Sequence, residues 1–377
     1  MVESADPVGV GLVGDCRRSI GGDRKPIEGA IQTTDRDLGD SFARSRVTHD
    51  RRRPDPSCRT LHREAGLCPG RRRIADGHHG QLERLGLHGT SVACPCSVAA
   101  TDHLARVAAM GDEVSFEQLF DLTECGDDRF EAISATYPWG QVYGGQVAAQ
   151  GLLAAGRTVD PAFEPHSLHA YFVRIGSWDE PIIYDVDRIR DGRSFITRRV
   201  LARQSHGVIL NLSASFQRPE TEPEIQRIVR PEDVPDPGTV EMDSWIEPMI
   251  ERSGAASAMP NARTWIRLTE HYLDTPLMHA VAHTFTSDDL PTEAVEYAHP
   301  HGRIEYTETD TERPYFGASL DHAVWFHHLR PATDWTLHDF RSSGVRGGRG
   351  HASGELWSTD GIHVATVTQE VLLRVAR

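Results

Sequence analysis

One order of elements occurs twice in this chain, about 154 residues apart, and that duplication limits the fold more than any other feature. The first copy opens at Tyr143-Gly144-Gly145-Gln146 and runs through Val147-Ala148-Ala149-Gln150-Gly151-Leu152-Leu153-Ala154-Ala155, with no charged residue before Arg157. A helix that is small or apolar on nearly every side is one surrounded by protein. Strand-like segments follow at 167–175, 181–189, 194–204 and 208–217, with Asp191-Gly192 and His206-Gly207 as turn signals between them. In the second copy Thr275-Pro276 supplies an N-cap and first-turn pair for a helix over 277–283, and strands are expected at 319–327, 335–340, 350–357 and 362–373. Tyr184-Asp185-Val186 answers to His338-Asp339-Phe340, and Gly207-Val208-Ile209 to Gly361-Ile362-His363, both at 154 residues. Ser167-Leu168 and Ser319-Leu320 match at 152, as a two-residue loop difference would produce. One buried helix followed by several long antiparallel strands is an α+β pattern, not an alternating βαβ one.

The first 109 residues belong to neither copy. They hold five of the six cysteines but only one of the 27 aromatic residues, Phe42, and their net charge is +3 against −18 for the remainder. Such a segment cannot bury enough apolar surface to offset its ordering entropy, so residues 1–109 are expected to be disordered, or to lie upstream of a natural start at Met110. Cys94-Pro-Cys96 with Cys58, Cys68 and His78-His79 is too irregular for a zinc site, and no metal is expected. Six cysteines make no disulfide framework, and the overall charge of −15 argues against a nucleic-acid partner. No apolar run approaches the roughly 20 residues of a membrane-spanning helix. The start lacks a secretory signal pattern and the end is not a peroxisomal tripeptide, so a cytoplasmic protein is expected.

The resulting division is 1–109 as leader, 110–218 as first domain, 219–262 as a Pro- and Glu-rich linker, and 263–377 as second domain. Two copies of a sheet wrapped around one apolar helix make a double hotdog. Several motifs then resemble one family. Tyr143-Gly144-Gly145-Gln146, His166-Ser167-Leu168-His169-Ala170-Tyr171-Phe172, Arg190-Asp191-Gly192-Arg193-Ser194-Phe195 and Ala214-Ser215-Phe216-Gln217 look like the first hotdog of the acyl-CoA thioesterase II (TesB-like) family. Ser319-Leu320-Asp321-His322 and Gln369-Glu370 look like its second. The resemblance implies hydrolysis of fatty acyl-CoA without a cofactor, a metal or a covalent intermediate, by a water held on an Asp, a Ser or Thr and a Gln. Carried over by motif, these are Asp288, Ser319 and Gln369, and a homo-oligomer of double-hotdog protomers is expected.

Without the family, each of the three residues has a second reading. Asp288 falls at the expected C-terminal end of a helix, where the macrodipole disfavours a carboxylate by about 0.3–1 kcal/mol, and it opens an acidic stretch that fits a plain loop. Shielded from water, its carboxyl would rise toward the range of a general base. Gln369 shares strand parity with Ala365, Val367, Val371 and Leu373, so its amide either ties the core together or orients a water or carbonyl. Ser319 could be a turn residue. At the 154-residue spacing the first-copy counterpart of Gln369 is Ser215, which leaves one active half. Asp321-His322 invites a dyad reading, but strand neighbours point to opposite faces, so both are read as structural. The glycines of Tyr143-Gly144-Gly145-Gln146 are read as packing residues rather than as a substrate contact. Val371 stands where the family often has Gly, and 288–317 is acidic and polar, so an acyl-chain preference is not carried over. A non-catalytic acyl-CoA-binding protein and an enoyl-CoA hydratase-type hotdog enzyme are the competing functions.

Overall fold

The structure is a computed structural model that describes residues 114–242, 244, 249–255, 261–302 and 315–375. The leader, including the cysteines considered for zinc, lies outside the described residues. A short helix α1 (Phe116–Leu119), closed by a Ser115/Gln118 capping box, leads into the hairpin β1 (Thr123–Gly126) and β2 (Arg129–Ala132). Helix α2 (Gly144–Gly156) follows, then β3 (Glu164–Phe172), β4 (Ile182–Asp191), β5 (Phe195–Gln204) and β6 (Gly207–Gln217). The second half contains β7 (Glu241–Met242), β8 (Ile250–Gly254), β9 (Asn261–Leu268), α3 (Pro276–Ser287), α4 (Pro291–Ala298) and β10 (Tyr315–Ser319). It ends with β11 (Asp321–Phe326), β12 (Thr336–Arg346), β13 (Arg349–Ser358) and β14 (His363–Val375). Thr275 caps α3 as expected, its hydroxyl accepting from the Met278 amide with Pro276 behind it.

All pairings are antiparallel, in the order β1-β2-β4-β5-β6-β3-β11-β14-β13-β12-β9-β8-β7, with β10 also on β14. Outward from the β3/β11 junction the two sides correspond strand for strand, with β7 as one extra strand at the edge of the second, which is what two equivalent units joined through equivalent strands produce. The junction is β3 against β11, with Tyr171 opposite Asp321 and His169 opposite Ala323. Helices α2 and α3 fill the inner face. Every residue of α2 after Gly144 is buried, which explains its lack of a polar face. The two helices run antiparallel at close range: a Cβ on Gly156 would lie 2.5 Å from Leu277, and one on Gly144 would lie 2.6 Å from the Asp288 carboxylate.

The register corrects the repeat. Tyr184 pairs Ala202 and His338 pairs Leu356, so β4/β12 and β5/β13 match at 154 residues. After the next turn, however, Val208 pairs Arg203 while His363 pairs Trp357, so β14 carries one extra residue and matches β6 at 155. The counterpart of Gln369 is therefore Ala214, not Ser215. Through the Leu168↔Ala214 and Ala323↔Thr368 pairs, β3 and β11 match at 154, so Leu168 answers to His322 and the 152-residue match of Ser167 with Ser319 is not the structural one.

Two further readings change. The segment 219–262 is not all linker, since it carries β7, β8 and the first residues of β9. Its exposed early part is tied down where Gln226 donates to the Gly361 carbonyl at 3.0 Å and accepts from the His363 amide at 2.9 Å. The acidic stretch after Asp288 contains a helix, α4, opened by Pro291 and buried through Ala294 and Val295.

Candidate active site

The site grows from the end of α3. Thr284, Phe285, Thr286 and Ser287 are buried, and Asp288 caps the helix with only 7% of its surface exposed. A carboxylate at a helix C-terminus faces carbonyl dipoles, an unfavourable position. Here the neighbouring helix offsets it, because α2 runs the opposite way and points its N-terminus at Asp288, with the Gly145 amide near enough to the carboxylate to lower its pKa. Gly144 and Gly145 make this approach possible: a Cβ on Gly145 would lie 2.5 Å from the Phe285 carbonyl oxygen. The same carbonyl accepts the Tyr143 hydroxyl at 2.9 Å, and the Tyr143 and Phe285 rings meet edge to face. The packing reading of these glycines thus describes half of what they do, since they also place backbone N–H against the carboxylate.

Burial raises the Asp288 pKa above its ordinary value, while His322, Gln369, Ser319 and the Gly145 amide each pull it down without cancelling the rise. The Ser319 hydroxyl donates to Oδ1 of Asp288 at 3.0 Å, and Nε2 of Gln369 donates to the Ser319 hydroxyl oxygen at 2.8 Å. The three residues nominated from sequence are therefore in one hydrogen-bonded group. Ser319 is placed by a break: β10 ends at Ser319 and β11 begins at Asp321, both against β14, with the Leu320 amide bonded to the Glu370 carbonyl. Gln369 is fully buried, and its amide faces inward from β14 as its strand parity requires.

The group contains one residue that sequence reasoning set aside. His322 is fully buried, its Nδ1 lies 2.6 Å from Oε1 of Gln369, and its Nε2 lies 2.9 Å from the Ser287 hydroxyl. Asp321 points the other way and accepts the Glu370 amide at 2.7 Å, so the adjacent Asp and His form no pair, as alternation demands. The signal for His322 was available in its parity with Val324 and Phe326, which places an imidazole on an apolar face beside a buried amide. The first copy holds none of this set: Leu168 and Ala214 stand for His322 and Gln369, and α2 ends in Gly156 and Arg157 where α3 ends in Ser287 and Asp288. Among the described residues no cluster of three His, Cys, Asp or Glu could hold a metal ion, and no helix is long and apolar enough to cross a membrane.

Comparison with known proteins agrees with this architecture. Residues 133–217 match the family model of the acyl-CoA thioesterase N-terminal domain, and 215–373 match that of the C-terminal domain. Acyl-CoA thioesterase 2 of Haemophilus influenzae is 31% identical over 288 residues, covering 68% of this chain and 96% of that protein. Human acyl-coenzyme A thioesterase 8 is 28% identical over 68% of this chain and 88% of its own length. Among solved structures, the acyl-CoA thioesterase II TesB2 of Mycobacterium marinum aligns with a TM-score of 0.58 at 31% identity, over 69% of this chain and 97% of that one. The tesB protein of Mycobacterium avium subs paratuberculosis aligns at 0.59 and 28%, over 73% and 100%. Two family models laid end to end over the duplicated sheet, with full-length relatives on either side of 30% identity, mean that the chain belongs to the acyl-CoA thioesterase II (TesB-like) family.

Proposed function

We propose that the protein hydrolyses fatty acyl-CoA to free fatty acid and CoA, with Asp288 as general base and Ser319 and Gln369 holding the water that attacks. The observation that carries this reading is the Gln369–Ser319–Asp288 series, in which each donor points toward one buried carboxylate of raised pKa. The Ser319 oxygen accepts from the amide and donates to the carboxylate, which leaves it a lone pair for a water hydrogen, and in this reading Asp288 acts on that water and not on the hydroxyl. Asp288 takes a proton from the water as the water oxygen bonds to the thioester carbon, the C–S bond of the resulting tetrahedral species breaks, and the proton on Asp288 passes to the departing sulfur, which releases CoA as the thiol and restores the carboxylate. A positioned base contributes about 10²–10⁴-fold to such a step. The chemistry asks for no metal, cofactor or acyl-enzyme. A cytoplasmic homo-oligomer completes the proposal.

The test is release of CoA, followed with a thiol reagent, from medium- and long-chain acyl-CoA. The parent releases CoA and Asp288→Asn loses at least about 100-fold in kcat. Release that is unchanged in Asp288→Asn would sink this assignment. Acyl-CoA retained without release would instead mark a binding protein that has kept the fold.

A further inference from the structure

We propose that His322 is a positioning residue that sets which way the Gln369 side-chain amide faces, and through it the donor presented to Ser319 and Asp288; this rests on the hydrolase reading above.

The need arises from the amide itself. The two ends of a glutamine amide are nearly the same size, and a half-turn about its last torsion exchanges a donor for an acceptor. Gln369 is useful to the site in only one of the two states. With Nε2 toward Ser319 it donates at 2.8 Å, and the Ser319 hydroxyl is left to donate to Asp288. With Oε1 toward Ser319, the hydroxyl would turn to that oxygen and the carboxylate would lose its donor.

The imidazole decides between the states. At 2.6 Å from Oε1, Nδ1 must carry hydrogen, or two lone pairs would face each other across a buried contact. Ser287 makes this possible in either protonation state. Its hydroxyl has one hydrogen and two neighbours, Nε2 of His322 at 2.9 Å and the Thr284 carbonyl at 3.1 Å. Turned to Nε2, it fits the neutral ring with hydrogen on Nδ1; turned to Thr284, it fits the imidazolium. Both forms donate to Gln369. The five side chains Ser287, His322, Gln369, Ser319 and Asp288 thus form a series whose ends are neighbours in sequence, and His322, Gln369 and Asp288 within it are fully or almost fully buried.

The first copy supplies the control. Leu168 occupies the matching position, fully buried on the matching strand, so the fold accepts leucine in this row where there is no amide to orient. His322→Leu is accordingly expected to lower kcat about 10- to 100-fold with KM changed less than about threefold. His322→Asn, whose amide can present a donor near the place of Nδ1, is expected to keep at least about a fifth of the parent kcat. In a Gln369→Ala background, His322→Leu should cost nothing further, because its effect passes through the amide that has gone. An unchanged kcat in His322→Leu overturns the proposal, as does a full additional loss in the Gln369→Ala background. Should the Leu variant not fold, His322→Asn decides alone, and a loss as deep as that of Gln369→Ala overturns the proposal. Asp288→Asn run alongside separates the two levels: full activity there defeats the assignment of Asp288 as the base, whereas its loss beside a fully active His322→Leu defeats only the role of His322.

Discussion

The two halves place different side chains on the same three adjacent strands. On β11, β14 and β13 the row is His322, Gln369 and Ala352; on β3, β6 and β5 it is Leu168, Ala214 and Arg198. In the second half the large polar group is at the centre and a small residue stands beside it, which leaves the amide free to face the end of the helix. In the first half the centre is small and the neighbour is an arginine that is 1% exposed. Its guanidinium donates to the hydroxyl and carbonyl of Thr158, to the carbonyls of Arg190 and Thr197, and to Asp191, so all five N–H groups are used. The same architecture therefore supports the candidate active site on one side and a closed knot on the other. A polar group can be retained at such a position either because every hydrogen bond is satisfied internally or because some capacity is kept for a substrate.

The largest effect expected from erasing this difference comes from Gln369→Ala, which gives β14 the residue that β6 carries. It should lower kcat about 100-fold while the protein remains folded, as measured by CoA release beside thermal unfolding. Arg198→Met attacks the other half. Removing one side of this network leaves the buried Thr158 hydroxyl and carbonyl without their arginine donor, at a cost of about 2–3 kcal/mol in denaturant unfolding, with activity per folded molecule unchanged.

The paired glycines separate in the same way. Gly144→Ala puts a methyl 2.6 Å from the Asp288 carboxylate, and kcat should fall about tenfold. Gly156→Ala meets only the end of the Leu277 side chain at 2.5 Å, so it should cost about 1–2 kcal/mol of stability and no activity per folded molecule.

The smallest effects concern pH. Burial raises the Asp288 carboxyl, which as the proposed base works in its ionised form, so the acid limb of kcat/KM should lie above the range of a free aspartate. Stability responds to a different group. His338, opposite Trp265-flanking Thr264 on β9, is buried, and desolvation holds its pKa down to about 3 against 6.5 for the free side chain. The unfolded chain thus binds the proton first. The stabilisation from a neutral His338 is complete above about pH 6.5 and is lost as pH falls toward 3, and His338→Phe should flatten that part of the stability curve.

The broad architecture was legible because duplication prints its pattern twice: the apolar α2, the capped α3 and eight of the strands follow from periodicity and turn residues. The register was not, because a single extra residue between β13 and β14 moves every later match by one and turns the counterpart of Gln369 from Ala214 into Ser215. Helix α4 was hidden by its acidic residues, since only Ala294 and Val295 near its middle show which face is buried. Asp288, Ser319 and Gln369 were reached by motif, and their meeting in space is a structural finding. His322 was passed over because its chain neighbour Asp321 suggested a pairing that geometry forbids, while its true partners lie 35 and 47 positions away in Ser287 and Gln369.

The Gly145 amide that reaches Asp288 belongs to the opposite half of the chain from every other group in the site. On the proposed function, neither half is therefore expected to be competent by itself. If the backbone were opened in the exposed stretch before β7 and the two fragments were expressed apart, function would return only on their encounter. The rate of recovery would then depend on dilution, and the covalent connection keeps that dependence out of the intact protein.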